Sequence, residues 1–378
     1  MPKKRVFLLC AVTAIVALAV GAAGTAIGIL MWSPWGKLVR ISRLVEATYY
    51  KPIDPAILPE GAARGILQSL EDPYSEYLTA AEWREFKVRS AGEYSGVGIT
   101  IQEDKDGRVI VVSPMKGSPA EKAGVLPKDV IIEVDGVPVK SSDDAAVRIR
   151  GPQGTQVNIT VLRGEEKITF TLTRAVIVVP AAEWRMAEPE IGYVKLISFT
   201  ERAYHDTAEA IQDLRAKGAK AIILDLRDNG GGDLDQCVKV AGLFIPKGPV
   251  VTLKGRAYPP KTYQTEGEGL GMPLVVLVND LTASASEILA GAIQDTKSGT
   301  IVGVTTFGKG VVQQLFPQPD GSCVKVTTFE YFTPSGRSIH EKGIVPDVIV
   351  ENPEPGAETD RQLEKALELA REALRHPS

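Results

Sequence analysis

The sequence predicts a chain of several domains, part α/β and part β, entered through a membrane segment. Three observations carry this: an uncharged apolar run near the N-terminus, short β-branched strands in the middle, and alternating strand and helix patterns in the second half. With 378 residues, 44% apolar and 24% charged, the chain can bury a core of useful size. Lys and Arg number 43 against 47 Asp and Glu, a formal charge of −4. That balance argues against a nucleic-acid binder working through a broad basic surface. Cys10, Cys237 and Cys323 show no CxxC spacing, and there are three histidines, so no His/Cys metal site is expected.

Taken in order, Lys3-Lys4-Arg5 precedes an uncharged, mostly apolar run over residues 6–32. At about 1.5 Å per residue, a helix of this length crosses a hydrocarbon core of about 30 Å. The basic residues should stay in the cytoplasm, so residues 1–36 read as a signal anchor with the rest outside it. Ala22-Ala23-Gly24 also offers a cleavage site, which would leave a secreted protein. The run exceeds the roughly 7–15 apolar residues of a signal peptide, which favours the anchor. Residues 37–91 read as helical: Leu38, Ile41, Leu44 and Val45 recur at helical spacing, and a second helix is expected over 60–70. Lacking paired reactive groups, this segment reads as a packing or dimerisation element.

Residues 92–175 read as a compact β module. Strands are expected at 109–112, 130–132, 157–162 and 168–172, with Asp135-Gly136 as a hairpin turn. Ser118-Pro119 offers an N-cap and first-turn proline for a short helix closed by Gly124, and a second helix spans 143–150. Residues 176–353 change to α/β grammar. Strands are expected at 191–199, 221–226 and 274–278, with helices at 201–217, up to about Phe244, and from about Ser284. Residues 354–378 carry a charged amphipathic terminal helix over 356–376.

Two segments could carry chemistry. In Thr282-Ala283-Ser284-Ala285-Ser286-Glu287, a hydroxyl stands at a helix start, where backbone N–H groups can stabilise an oxyanion. Taken alone, helix capping is the commoner use of such residues. In residues 299–319 the only charged side chain is Lys309, flanked by Phe307, Gly308, Gly310, Val311 and Val312. An amine in apolar surroundings is pushed toward its neutral form and can serve as a base for a serine, although a single lysine more often snorkels. No Gly-x-Ser-x-Gly elbow with a histidine partner stands out, so a Ser–Lys pair is the mechanism to test.

Gly96-Val97-Gly98-Ile99, with the run from Gly117-Ser118-Pro119-Ala120 through Asp129-Val130-Ile131 to Asp135-Gly136, resembles a PDZ domain. Small residues in such a loop let backbone N–H groups converge on a terminal carboxylate, and the next strand can pair with an extended tail. Thr282-Ala283-Ser284-Ala285-Ser286-Glu287-Ile288, then Phe307-Gly308-Lys309-Gly310 and Gln313, resembles the signature of the C-terminal processing (tail-specific) serine peptidases. Asp225-Leu226-Arg227-Asp228-Asn229-Gly230-Gly231-Gly232 and Ser338-Ile339-His340-Glu341-Lys342-Gly343-Ile344-Val345-Pro346-Asp347 also match that family.

The resemblance covers nearly everything after residue 36 and implies a helical segment, a PDZ domain and a crotonase-like α/β peptidase core. It implies Ser284 as nucleophile, Lys309 as general base and Gln313 as the residue orienting the lysine. The N–H groups of Ala285 and of the 230–232 loop, Gly231 first and Gly230 beside it, would form the oxyanion hole. Gly96, Val97, Gly98 and Ile99 would receive the apolar C-terminal tails of protein substrates, and Arg150 would report tail binding to the core. No cofactor, metal or nucleic acid is implied, and a dimer or ring is open on family grounds. Thr282, Ser286, Glu287 and Arg227 read as scaffold groups, His340 as part of a surface loop, and Cys237 and Cys323 as buried apolar residues. A non-catalytic PDZ scaffold and an acyl-CoA enzyme remain the competing readings; the intact Ser284, Lys309 and Gln313 oppose the first, and the absence of a nucleotide loop opposes the second.

Overall fold

A computed structural model describes residues 33–351 and 359–376. Residues 1–32 of the expected anchor lie outside the described residues; among those described, no helix is long and apolar enough to cross a membrane. The chain divides into two compact units, one holding residues up to Ala80 with Gln314–Thr327, the other the remainder.

The smaller unit contains helices Pro34–Thr48 and Ile57–Gln68. Ser33 caps the first by accepting from the Gly36 N–H at 3.1 Å. Strand Glu76–Leu78 runs antiparallel to residues 323–325, in the register Glu76 to Lys325 and Leu78 to Cys323. Lys325 also meets the Glu76 carboxylate at 2.8 Å.

In the larger unit the β module has the strand order Ile99–Glu103, Val109–Pro114, Val130–Val134, Gln156–Arg163, Glu166–Thr173. Alternation explains its core: Val157, Ile159 and Val161 on one strand are fully buried with Val109, Val111, Ile131 and Val134 on its neighbours. Fully burying each such side chain contributes about 1.5–3 kcal/mol. Asp135 and Gly136 both adopt positive φ, 50° and 75°, as the two-residue turn into strand Val137–Pro138. Helix Ser142–Ile149 packs Ala145 and Ile149 into the same core.

The second core is a sheet in the order Ala182–Glu188, Ile191–Leu196, Ala221–Asp225, Leu274–Val278, Thr300–Gly303, Val348–Ile349. Its first pair is antiparallel and every later pair parallel. Period-two alternation splits the apolar residues between the faces. Val194, Ile222, Leu224, Val276 and Ile301 join the core formed with helices Ala203–Ala216, Leu234–Phe244 and Ala285–Asp295. Ile191, Ala221, Ile223, Val275, Leu277 and Val302 meet Leu363, Ala366, Leu367 and Ala370 of the terminal helix, Arg361–Arg375. Strands Pro246–Lys254 and Lys261–Glu268 form an antiparallel pair with no counterpart in the sequence reading. Their Lys, Thr, Glu, Gly and Pro residues give no apolar run by which to recognise them.

Candidate active site

Three loops leave the carboxyl ends of three adjacent parallel strands, where open α/β sheets usually carry their sites. They follow Ala221–Asp225, Leu274–Val278 and Thr300–Gly303, and carry the glycine run, Ser284 and Lys309 respectively.

Ser284 is the N-cap of helix Ala285–Asp295, and its backbone sits at φ 56°, ψ −117°. A non-glycine residue held there stores strain of about 1–3 kcal/mol and needs its surroundings to hold it. The same kind of sharp, strained strand-to-helix turn lifts nucleophilic serines out of other α/β sheets. Thr282 and Ser286, the rival hydroxyls, are fully buried and committed to the glycine loop. Thr282 Oγ1 donates to the Leu226 carbonyl and Ser286 Oγ to the Asn229 carbonyl, each at 2.9 Å.

Glu287 joins the nucleophile loop to the lysine loop. One carboxylate oxygen accepts from the N–H groups of Ser284 (2.8 Å) and Lys309 (2.9 Å). The other accepts from Thr306 Oγ1 (2.6 Å) and the Gly308 N–H (2.7 Å). Four donors match the acceptor capacity of an ionised carboxylate. Burial nonetheless outweighs these bonds and holds the Glu287 pKa above the usual carboxylate range. Two further ties bind the loops. The Phe307 N–H donates to the Thr282 carbonyl at 3.0 Å, and buried Tyr331 shares its hydroxyl proton between the carbonyls of Ser284 (3.1 Å) and Lys309.

Gln313 lies four residues beyond Lys309 on strand Val311–Pro317, half-buried like the lysine itself. The 338–347 segment lies at the surface through Glu341, Lys342 and Val345 but is anchored inward, which its expected placement in a surface loop did not include. Ile339 and Ile344 are buried, the Glu341 N–H donates to the Gly308 carbonyl at 2.8 Å, and the Ile344 N–H to Thr306 Oγ1 at 2.7 Å. His340 is half-buried, and a Cβ on Gly310 would lie 2.4 Å from its backbone nitrogen. The segment braces the lysine loop.

The glycine loop fits against the serine. Gly231 has φ +96°, and a Cβ there would lie 2.8 Å from the Ala285 nitrogen, the Ala283 oxygen and Ser284 Cβ alike. No side chain larger than hydrogen is accommodated. The Gly231 N–H donates to the Asn229 side-chain oxygen at 2.9 Å, and Gly230 stands beside it with open space where its Cβ would be. Asn229, 1% exposed, also receives the Ala283 N–H on its carbonyl and donates Nδ2 to the Leu196 carbonyl. Sequence reasoning passed over both Asn229 and Tyr331. The signal for Asn229 was its place just before the glycine run in the Asp225–Gly232 motif, and Tyr331 had none. Cys237 and Cys323 are buried, as expected, and form no disulfide among the described residues.

In the β module, the Gly96-Val97-Gly98-Ile99 loop is fixed through its carbonyls. Val97 accepts from the Ala120 N–H (3.0 Å), while Gly98 accepts from the Met115 N–H (2.9 Å) and Ser118 Oγ (3.1 Å). Gly98 at φ +73° would place a Cβ 2.4 Å from Ser118 Cβ. Buried Arg174 donates to the carbonyls of Arg148 and Ile149, closing the C-terminal end of helix Ser142–Ile149. Arg150 caps that helix with its guanidinium 5.6 Å over the Tyr94 ring, on strand Glu93–Gly96, which leads into the module.

The family model described as peptidase family S41 matches residues 190–350, and the one described as a PDZ domain matches 110–163. A third, the N-terminal domain of the activating protease CtpB, matches 21–81. The carboxy-terminal processing protease CtpA of Bacillus subtilis (strain 168) is 39% identical over 327 residues, which cover 85% of this chain and 70% of that protein. The chain belongs to peptidase family S41.

A CtpA-like serine protease of Staphylococcus aureus (strain COL) is 38% identical over 84% of this chain, which spans 65% of that relative's length. Among solved structures, the photosystem II D1 C-terminal processing protease is 33% identical with a TM-score of 0.50, covering 85% of this chain and 88% of that one. An S41 protease from Bacteroides fragilis NCTC 9343, 16% identical with a TM-score of 0.53, shares the fold. This S41 peptidase is thus a serine protease of the C-terminal processing type with a PDZ domain, which sets aside the scaffold and acyl-CoA readings.

Proposed function

We propose that this S41 peptidase is a membrane-anchored endopeptidase that captures C-terminal tails on its PDZ domain and cleaves by a Ser284–Lys309 acyl-enzyme mechanism. The observation that supports it most is the pairing of a strained Ser284 backbone with one carboxylate, Glu287, that binds the N–H groups of both Ser284 and Lys309.

Ser284 Oγ attacks the scissile carbonyl carbon while the Lys309 amine takes its proton. The oxyanion accepts from the Ala285 N–H and from the glycine loop, at Gly230 or at Gly231. Use of Gly231 requires its N–H to exchange the Asn229 side chain for the oxyanion. The C–N bond then breaks as Lys309 returns the proton to the leaving amine, leaving an ester on Ser284. Water, deprotonated by Lys309, hydrolyses the ester and restores the serine. Gln313 orients the lysine. An apolar tail adds to the strand Ile99–Glu103 with its carboxylate on the Gly96–Ile99 amides, and Arg150 reports its arrival.

Residues 1–36 anchor the enzyme with the catalytic part outside the cytoplasm. The helical segment 37–91, the PDZ domain 92–175, the peptidase core 176–353 and the terminal helix 354–378 follow. The test is cleavage of an unstructured protein ending in an apolar tail by the full chain in detergent. Ser284→Ala and Lys309→Ala should each remove cleavage while leaving the circular dichroism spectrum unchanged. Cleavage that survives Ser284→Ala would overturn the mechanism.

A further inference from the structure

The glycine loop is also held from the far end of the chain. Asp225, fully buried at the end of its strand, accepts the Tyr193 hydroxyl at 2.6 Å and the Arg227 guanidinium at 2.6 Å. The Nη1 nitrogen of Arg227 reaches past it to Asp360 at 2.8 Å and to the Gln362 side-chain oxygen at 3.2 Å. Asp360 is the N-cap of the terminal helix, accepting the Leu363 N–H at 3.0 Å. Gln362 is fully buried and donates Nε2 to the Val350 carbonyl at 2.9 Å. Downstream of Arg227, Asp228 exchanges two hydrogen bonds with Asn279, its N–H to Oδ1 (3.0 Å) and its Oδ1 with Nδ2 (2.8 Å). The loop leading to Gly231 therefore has two polar anchors beyond those from Thr282, Ser286 and Asn229, and the first of these two belongs to the terminal helix.

The helix has apolar contacts of its own besides this cluster. Leu363, Ala366, Leu367 and Ala370 already pack on the apolar face of the sheet. A buried group of charges is also a weak source of stability, because desolvation offsets most of its attraction. Its stronger effect is to fix geometry. Burial works to strip the proton from Arg227, but the bonds to Asp225 and the nearby Asp360 outweigh it, so the cation is kept.

We propose that Asp360 and Gln362 are positioning residues for peptide cleavage, acting through Arg227 to fix the 226–232 loop against Ser284. The inference rests on the reading of Ser284 as nucleophile and of this loop as an oxyanion donor. Displacing a catalytic group by about 1 Å can cost about 100-fold in rate.

The test compares Asp360→Asn, Asp360→Glu and Gln362→Met in the full chain. Asparagine still caps a helix and methionine still fills a buried site, so the apolar docking face is kept. Three quantities are read: kcat and KM, affinity for a peptide boronate that forms a tetrahedral adduct on the nucleophile, and affinity of the PDZ domain for a non-cleavable tail peptide. Asp360→Asn and Gln362→Met should each lower kcat about tenfold, the loss expected for a bond to a charged group. Boronate affinity should fall in parallel, KM and tail affinity should stay at the wild-type value, and Asp360→Glu should recover part of the loss. Wild-type kcat in both variants would overturn the inference. So would a loss of kcat that follows a fall in melting temperature while boronate affinity is unchanged. Ser284→Ala, run alongside, separates the two claims. Cleavage by that variant sinks the mechanism, whereas its inactivity beside fully active Asp360 and Gln362 variants sinks only the positioning role.

Discussion

The nucleophile loop and the lysine loop meet on one carboxylate but are built in different ways. The first has a continuous frame: strand Leu274–Val278, a short turn and helix Ala285–Asp295 carry the strained Ser284 in one segment, which Thr282 and Ser286 tie to the glycine loop 56 and 57 residues away. The second is assembled from a distance. Glu287 lies 22 residues before Lys309, Tyr331 lies 22 after it, and Thr306 is bonded to Ile344, 38 residues away. The nucleophile turn is thus framed by its own strand and helix, whereas the lysine loop takes its geometry from Glu287, Tyr331 and the 338–347 segment. The glycine loop stands between the two types, held locally by Asn229 and remotely by the terminal helix.

Substitutions can separate these contributions. Gly231→Ala should have the largest effect, because its Cβ would meet two backbone atoms of the nucleophile turn and Ser284 Cβ at 2.8 Å each. Activity should fall about 100-fold or more, with a measurable drop in melting temperature from the added strain of about 1–3 kcal/mol. An active, stable Gly231→Ala would mean that the two loops need not touch.

Glu287→Gln comes next. It replaces one carboxylate oxygen by an NH2 group facing donors that are left without an acceptor, and kcat should fall about 10- to 100-fold. The same carboxylate sets an acid limb. Because its folded pKa is raised, it takes up a proton at a pH above the usual carboxylate range, and a protonated Glu287 cannot accept all four donors. Activity should therefore decline there on acidification. In the same window the native state binds more protons than the unfolded chain, so the contribution of this group to stability rises as pH falls. A pH profile of kcat beside a pH profile of unfolding checks this. Joint loss of both, or an acid limb unchanged in Glu287→Gln, would contradict the assignment. The smallest effect is expected for Tyr331→Phe, which removes one shared hydroxyl between two carbonyls and should lower kcat about three- to tenfold with KM unchanged. Steady-state kinetics measure it directly, and a wild-type kcat would show that the hydroxyl is not needed to hold the loops.

The same local and non-local division governs what could be read from the sequence. The strand Leu274–Val278 and the helix start at Ser284 were legible because a continuous apolar run and an N-cap pattern are encoded in adjacent residues. The Asp135-Gly136 turn was legible for the same reason, since both residues tolerate positive φ. The paired strands Pro246–Lys254 and Lys261–Glu268 were not, because their polar residues face outward and only Val250, Val251, Leu253 and Thr265 are buried. Tyr331, the burial of Ile339 and Ile344 and the Arg227–Asp360 contact were also hidden, since each is defined by a partner far along the chain. Ser284, Lys309 and Gln313 were singled out through family motifs, with the residue types alone leaving capping and snorkelling as alternatives.

The most direct measurement is to trap the acyl-enzyme. The full chain would be mixed with an activated peptide ester, quenched in acid, digested and read by tandem mass spectrometry. The expected result is one acyl adduct, on the Ser284 hydroxyl, absent from Ser284→Ala and forming far more slowly in Lys309→Ala. An adduct on Ser286, or a full-strength adduct in Lys309→Ala, would contradict it.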